Sequence, residues 1–110
     1  MKMFGLKKEL INSFNNIFTK YPEIDEVLIY GSRAKGNFRE GSDIDISLKG
    51  ANVTEEIRSS VWLDLDDLNS PYLIDLSIFN KISSHSLKEH IERVGKTFYK
   101  KGETIASVHE

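Results

Sequence analysis

The chain has 110 residues, of which 39% are hydrophobic and 29% are charged, with a formal net charge of -2 and no cysteine. These values predict one globular domain over residues 1–110 and exclude disulfides, thiolate metal sites and cysteine nucleophiles. No apolar run approaches the roughly 20 residues of a membrane helix, and the charged stretch 1–9 is unlike a signal peptide. We therefore expect a cytoplasmic protein. Because the net charge is small, any anion binding must depend on a local group of basic residues.

Residues 6–20 predict the first helix. Apolar residues three and four positions apart form one stripe along it. The members of this stripe are Leu6, Leu10, Ile11, Phe14, Ile17 and Phe18. Tyr21-Pro22 ends the helix, because the residue before proline avoids the helical region. Residues 26–30 then form a short apolar run without polar alternation, which is typical of a strand buried on both faces.

A glycine-bearing basic loop follows this strand directly. Gly31-Ser32 leads into Arg33-Ala34-Lys35, and this order predicts a strand that runs into a short helix. Backbone N–H groups at the start of such a helix can hold a phosphate. Turn residues at 36–37 and 40–42 close the loop, which also carries Arg39 and is therefore suited to an anion.

Residues 43–48 alternate between acidic or polar and aliphatic side chains. Ile44, Ile46 and Leu48 face one way in the predicted strand, so Asp43, Asp45 and Ser47 face the other. Residues 72–79 predict another strand, in which Ile74-Asp75-Leu76-Ser77 repeats the pattern of residues 44–47. Asp75 therefore points away from the aliphatic face of its strand.

Two further helices and one short strand complete the prediction. Residues 54–68 form a helix capped by Thr54, with an apolar face and a solvated acidic face. The apolar face comprises Ile57, Val61, Trp62, Leu65 and Leu68, and the acidic face comprises Asp64, Asp66 and Asp67. Ser84 or Ser86 caps a helix that ends near residue 94 at Gly95. Residues 96–99 are expected to form a short final strand or an extended segment, and the polar tail after Gly102 is expected to be loose.

The three aspartates predict a metal site. Asp43 and Asp45 lie about 6–7 Å apart on one face, and Asp75 joins them if its strand is a neighbour at about 4.8 Å. At ~6 Å and an effective dielectric constant near 20, each ionised pair costs about 3 kcal/mol. A divalent cation would remove this repulsion, and carboxylate oxygens without histidine or cysteine favour Mg²⁺ or Mn²⁺. An Asp-x-Asp strand alone also fits an ordinary half-exposed strand. The conjunction with the Gly-Ser loop and Asp75 favours the metal site.

This combination resembles the nucleotidyltransferase superfamily related to DNA polymerase β. The family motif is Gly-Gly or Gly-Ser after an apolar residue, a spacer of about ten residues, Asp-x-Asp or Asp-x-Glu, and a third carboxylate on a later strand. Here it stands as Tyr30-Gly31-Ser32, Asp43-Ile44-Asp45 and Asp75. Gly-Ser-Arg-Ala-Lys-Gly with Ser-Asp-Ile-Asp is most similar to the minimal nucleotidyltransferases of bacteria and archaea.

The resemblance implies an α/β (α+β) fold, with a small mixed sheet and helices packed mainly on one face. It also implies two Mg²⁺ ions (Mn²⁺ is an alternative) held by Asp43, Asp45 and Asp75, with Asp75 helping to activate the attacking hydroxyl. Gly31 and Ser32 would hold the triphosphate, and Arg33 is a candidate phosphate contact. The implied reaction is attack of a hydroxyl on the α-phosphate of a nucleoside triphosphate, with ATP expected and pyrophosphate released.

The family also implies a partner, because larger relatives carry a second domain that this chain has no room for. Minimal members often pair with a small helical protein of the HEPN type, in systems where the nucleotidyltransferase transfers AMP to a tyrosine of that partner. Two alternatives stay open: a binding subunit that neutralises its partner by contact alone, and a transferase for a small-molecule hydroxyl completed by a homodimer. His85, His90 and His109 do not discriminate between these alternatives.

Overall fold

The computed structural model describes residues 2–102. The predicted loose tail after Gly102, with His109, lies outside these residues. In chain order the elements are β1 (Lys2–Met3), β2 (Leu6–Lys7), α1 (Lys8–Thr19), β3 (Glu26–Tyr30), α2 (Gly31–Lys35), β4 (Ile44–Lys49), α3 (Glu55–Asp66), β5 (Ile74–Ile78), a 3₁₀ turn (Phe79–Lys81), α4 (His85–Val94) and β6 (Lys96–Lys100). None of the helices within the described residues combines the length and apolarity needed to cross a bilayer.

One mixed four-stranded sheet organises the molecule, with the strand order β5-β4-β3-β6. β4 is antiparallel to β3 and parallel to β5, and β6 is antiparallel to β3 with a bulge between Val27 and Leu28. The parallel pair requires a crossover, which α3 provides by packing against β5. The three strands that carry the motif, β3, β4 and β5, therefore lie side by side.

The two longest helices, α1 and α3, cover one face of the sheet. The main core cluster on this face includes Phe14 and Phe18 of α1, Val61 and Leu65 of α3, and the aliphatic rows of β3, β4 and β5. A smaller cluster under α4 buries Tyr30, Phe79 and Ile91 on the opposite face. The predicted α/β class, with helices packed mainly on one face of a small mixed sheet, is confirmed.

The predicted first helix begins two residues later than expected. Leu6–Lys7 pair with Lys2–Met3 as an antiparallel hairpin, so the helix starts at Lys8. The two-residue turn, Phe4-Gly5, has φ angles of 59° and 75°, the combination that a type I′ hairpin turn requires. The short hairpin has no periodic signal of its own, and Leu6, which the helical stripe included, is fully buried in the hairpin.

The helix α3 follows the predicted cap and most of the predicted faces, with Trp62 and Asp64 as the exceptions. The Thr54 hydroxyl accepts a hydrogen bond from the Ile57 N–H at 3.2 Å. Trp62, expected on the apolar face, is 36% exposed, and its indole N–H donates to the Ile74 carbonyl on the edge strand β5. Asp64, expected in solvent, is half-buried, because it pairs with Tyr21 and Lys20. For α4, the cap is Ser84 rather than Ser86.

The Tyr21–Asp64 hydrogen bond gives a prediction for stability. The Tyr21 hydroxyl donates to the Asp64 carboxylate at 2.6 Å, and this bond, followed by burial and the Asp64 charge, raises the pKa of Tyr21 from 10.0 to about 12. Tyr21→Phe is expected to lower the free energy of unfolding at pH 8 by about 1 kcal/mol, measured by urea denaturation. The neutral phenol carries the stabilisation, so it is complete below the ordinary pKa and is lost as the pH rises through the folded pKa.

Urea denaturation at pH 11 should therefore give a smaller difference between the wild type and Tyr21→Phe than at pH 8. Tyr99→Phe is the control, because the Tyr99 ring packs on Phe18 at a centroid distance of 5.5 Å and phenylalanine retains that contact. An equal loss in both variants, or a difference that does not change with pH, would contradict a role for the hydrogen bond.

Candidate active site

The register of the sheet brings Asp45 and Asp75 together. In the parallel pair of β4 and β5, Asp45 is the direct partner of Asp75, and in the antiparallel pair with β3 it is the partner of Tyr30. Neighbouring strands lie about 4.8 Å apart. Asp43 precedes β4 by one residue and contributes a repulsive charge to Asp45. The structure therefore sets Asp75 beside Asp45, with Asp43 just before β4 at the same end of the sheet.

The predicted Gly-Ser turn lies against this carboxylate group. Gly31 has a φ of +72°, which is unfavourable for any other residue, and a Cβ atom there would lie 2.5 Å from Asp45 Oδ2. Ser32 is the next residue of α2 and is partly exposed. The backbone at the β3–α2 junction is thus close to the Asp45 carboxylate, and no side chain fits between them.

The environment of Asp45 disfavours its negative charge. Burial raises the pKa of the Asp45 carboxyl, and the charges of Asp75 and Asp43 raise it further, while Arg33 opposes them. Asp43 and Asp75 are exposed to solvent, whereas Asp45 is half-buried between them. A cation beside Asp45 would offset this repulsion and favour the ionised carboxylate.

The donor set fits a magnesium ion that also binds its substrate. Within residues 2–102, no three acidic or histidine side chains converge closely enough to enclose a metal ion by themselves. Mg²⁺, however, commonly takes one or two protein carboxylates and completes its shell with water and phosphate oxygens. The acidic side chains at this end of the sheet offer carboxylate oxygens, and burial together with the charges of Asp75 and Asp43 raises the pKa of Asp45. The residues therefore fit a shared metal site better than an all-protein cage.

Three further polar side chains lie beside the carboxylates on the same sheet face and have no role predicted from the sequence. This polar row comprises Tyr30, Ser47 and Ser77. The Ser77 hydroxyl donates to the Ser47 hydroxyl at 2.9 Å, and Ser47 is fully buried. Tyr30 is also buried, and its pKa is raised by burial and by the charges of Asp75 and Asp45, against a hydrogen bond with Ser77. The repeated Asp-x-Ser pattern of β4 and β5 was the available signal for this row.

His90 of α4 packs on this row through the edge of its ring, at a centroid distance of 6.4 Å from Tyr30. This contact places His90 in the packing of the second core cluster. His85 is exposed at the first position of α4.

Arg33 occupies a different position from the other predicted nucleotide contacts. Its side chain is 3% exposed, and its guanidinium donates to two backbone carbonyls, those of Ser42 and Phe4. The rings of Phe38 and Tyr72 flank it at 5.0 and 4.7 Å from their centroids. Contact of Arg33 with a phosphate stays a prediction, and the observed contacts are with the protein itself.

A family model described as "Polymerase beta, Nucleotidyltransferase" matches residues 12–104. This match includes every carboxylate and glycine of the site. No curated protein matches the chain.

Solved structures share the fold. A toxin–antitoxin complex with AMP-PNP contains a chain 22% identical to this one, with a TM-score of 0.64 over 94% of this chain and 79% of that chain. The complex of the tri-AMPylated HEPN toxin of Shewanella oneidensis with an MNT antitoxin contains a chain that matches at 18% identity, with a TM-score of 0.62 over 93% of this chain and 80% of that chain. At these identities the likeness is evidence for the fold alone.

Proposed function

The chain belongs to the polymerase β nucleotidyltransferase family, and from this premise we propose that it is a Mg²⁺-dependent adenylyltransferase. It would transfer AMP from ATP to a hydroxyl group of a protein partner. The observation that carries the proposal is the register of β4 and β5, which sets Asp75 directly beside Asp45. Two distant parts of the chain thus contribute carboxylates to one site, beside a Gly-Ser turn.

The chemistry divides between the strands. Asp43 and Asp45 would hold the metal ions, and Asp75 would share the ion nearest the acceptor. When bound, two Mg²⁺ ions supply Lewis-acid polarisation and neutralise charge on the attacking and leaving oxygens. The acceptor oxygen forms a bond to the α-phosphorus while the bond from that phosphorus to the bridging oxygen breaks, and pyrophosphate leaves with the electron pair. Asp75 takes the hydroxyl proton and passes it to solvent, to which it is exposed.

The junction of β3 and α2 would hold the triphosphate. Gly31 lies against Asp45 without a side chain between them, so a phosphate there can contact the backbone and the metal ion together. Positioning and charge neutralisation account for most of the catalysis of phosphoryl-type transfers. The nucleotide would therefore bind with its phosphates toward Gly31-Ser32 and its α-phosphate toward the aspartates.

The acceptor we propose is a tyrosine of a small helical partner of the HEPN type, in the cytoplasm. Two observations support a partner-bound acceptor. Asp75 lies on the edge strand β5, open to an incoming protein. The structural neighbours include a tri-AMPylated HEPN toxin in complex with an MNT antitoxin, and a toxin–antitoxin complex with AMP-PNP. In this arrangement the chain would act as the antitoxin.

ATP titration with and without Mg²⁺ provides the first test. Isothermal calorimetry should detect binding in the presence of Mg²⁺, and chelation of the metal or the double change Asp43→Asn/Asp45→Asn should weaken it by at least about tenfold. Asp25→Asn is the matched control, because Asp25 is an exposed acid that precedes β3, at the far end of the sheet from the site. Metal-independent binding that survives the double change would contradict the proposed site.

Transfer is then measured with α-labelled ATP and a purified HEPN-type protein as the candidate partner. Label on a partner tyrosine supports the proposal. Protection of cells from the partner by the double variant, without any label transfer, would instead support neutralisation by contact alone. Label on a small hydroxyl compound but not on the partner would identify a small-molecule transferase.

A further inference from the structure

Three of the five N–H donors of the Arg33 guanidinium bind backbone carbonyls of the chain itself. Nε and Nη2 donate to the Ser42 carbonyl at 3.1 and 2.8 Å, and Nη1 donates to the Phe4 carbonyl at 2.9 Å. No ion pair joins it to a carboxylate within residues 2–102. A buried charge is costly unless hydrogen bonds compensate it, and these three bonds provide that compensation.

Two aromatic rings, from separate segments of the chain, pack on the Arg33 guanidinium. The guanidinium carbon lies 5.0 Å from the Phe38 ring centroid and 4.7 Å from that of Tyr72. The β1–β2 turn closes the third side, because a Cβ atom at Gly5 would lie 2.3 Å from the Phe38 ring and 2.9 Å from Arg33 Nη1. A planar guanidinium can stack and form forked hydrogen bonds at once, whereas a lysine ammonium cannot.

The two ends of the basic loop are joined by this side chain. Arg33 directly follows Gly31-Ser32 in the chain. Its guanidinium binds the carbonyl of Ser42, which directly precedes Asp43. The loop between them is otherwise mostly exposed. The guanidinium therefore links the backbone of the glycine turn to the backbone that enters β4.

We propose that Arg33 is a positioning residue that sets Asp43 and Asp45 at a fixed distance from the Gly31-Ser32 turn. The proposal rests on the proposed transfer site, because that site needs the carboxylates and the turn to act on one metal-bound nucleotide. This role differs from a direct phosphate contact. A phosphate contact would require the positive charge of Arg33 but not the forked arrangement of its N–H donors.

Arg33→Lys and Arg33→Met separate the two roles. Positioning predicts that both variants lose at least about tenfold in kcat with Mg²⁺, with a change in the KM for ATP below about threefold. Replacing Mg²⁺ by Mn²⁺ should reduce this deficit, since Mg²⁺ demands near-ideal octahedral geometry. Near-normal kcat in Arg33→Lys, or a loss confined to the KM for ATP, would overturn the proposal.

Lys35→Met provides the charge comparison on the same short helix, because Lys35 is exposed. Its loss of kcat should be much smaller than that of Arg33→Met. Equal losses in the two variants would mean that only local positive charge matters, which would also overturn the proposal.

A proteolysis measurement tests the link without metal or nucleotide. Cleavage by a glutamate-specific protease after Glu40, followed by mass spectrometry, should accelerate by at least about fivefold in Arg33→Lys. Phe38→Leu, which removes one stacking ring from an exposed loop, should accelerate it in the same direction even if the Arg33 variants fail to fold. Lys35→Met should cleave like the wild type.

Unchanged cleavage in Phe38→Leu and in any folded Arg33 variant would overturn the proposal. If the wild type itself transfers no AMP, the proposed function fails, while the cleavage rates still decide whether Arg33 holds the loop.

Discussion

Asp45→Asn is expected to abolish AMP transfer and to make the metal-free protein more stable. Loss of this proposed metal ligand should reduce the rate by about 10²–10³-fold or more. The same change removes a half-buried charge that burial, Asp75 and Asp43 all disfavour, as the raised pKa of Asp45 indicates. The free energy of unfolding should therefore rise by up to about 1 kcal/mol, once screening by solvent is allowed for.

The measurement is urea denaturation of both proteins in the presence of a chelator, and again with Mg²⁺ and ATP. The wild type should gain stability from the ligand, because binding to the folded state alone stabilises it, and Asp45→Asn should gain little. The order of stability is thus expected to reverse between the two conditions. Asp25→Asn, an exposed acid far from the site, should behave like the wild type in both. A variant that is less stable than the wild type without ligand would mean that Asp45 has a structural role instead.

Gly31→Ala is expected to have the second largest effect. The positive φ of +72° and the 2.5 Å approach to Asp45 Oδ2 leave no room for a methyl group. Backbone strain should cost about 1–3 kcal/mol of stability. Displacement of Asp45 and of the proposed phosphate contact should lower kcat for AMP transfer by about 10²-fold. Denaturation and transfer assays on the same preparation measure both effects.

Gly36→Ala is the matched control for this change. Gly36 also has a positive φ, +87°, but a Cβ atom there would meet nothing within 4 Å. The control should lose similar stability from strain and keep most of its activity. If the two variants lose activity equally, then backbone strain in α2 accounts for the effect of Gly31→Ala, and the contact with Asp45 does not.

Local pattern was sufficient for most of the fold. Alternation along 43–48 placed Asp43 and Asp45 on the face opposite the aliphatic row, because side-chain direction in a strand has a period of two. The same argument held for Asp75 on β5. The spacing of apolar residues gave α1, α3 and α4, since a helix buries one stripe whatever lies opposite it. The errors fell where a pairing partner outside the helical pattern decides the structure: Leu6–Lys7 pair with the adjacent strand β1, and Asp64 binds the distant Tyr21.

The sequence by itself determined which residues are candidates for the chemistry: a Gly-Ser turn, an Asp-x-Asp strand and a third aspartate, each recognisable within a few positions of the chain. Only the tertiary structure decided how they meet. The pairing of Asp45 with Asp75 depends on strand register across 30 residues, and sequence pattern alone leaves that register open. The contacts of Arg33 depend on Phe4, Ser42 and Tyr72, which approach it from three separate segments. The sequence predicts an anion contact for Arg33, and only the fold adds the carbonyls and aromatic rings that surround its guanidinium.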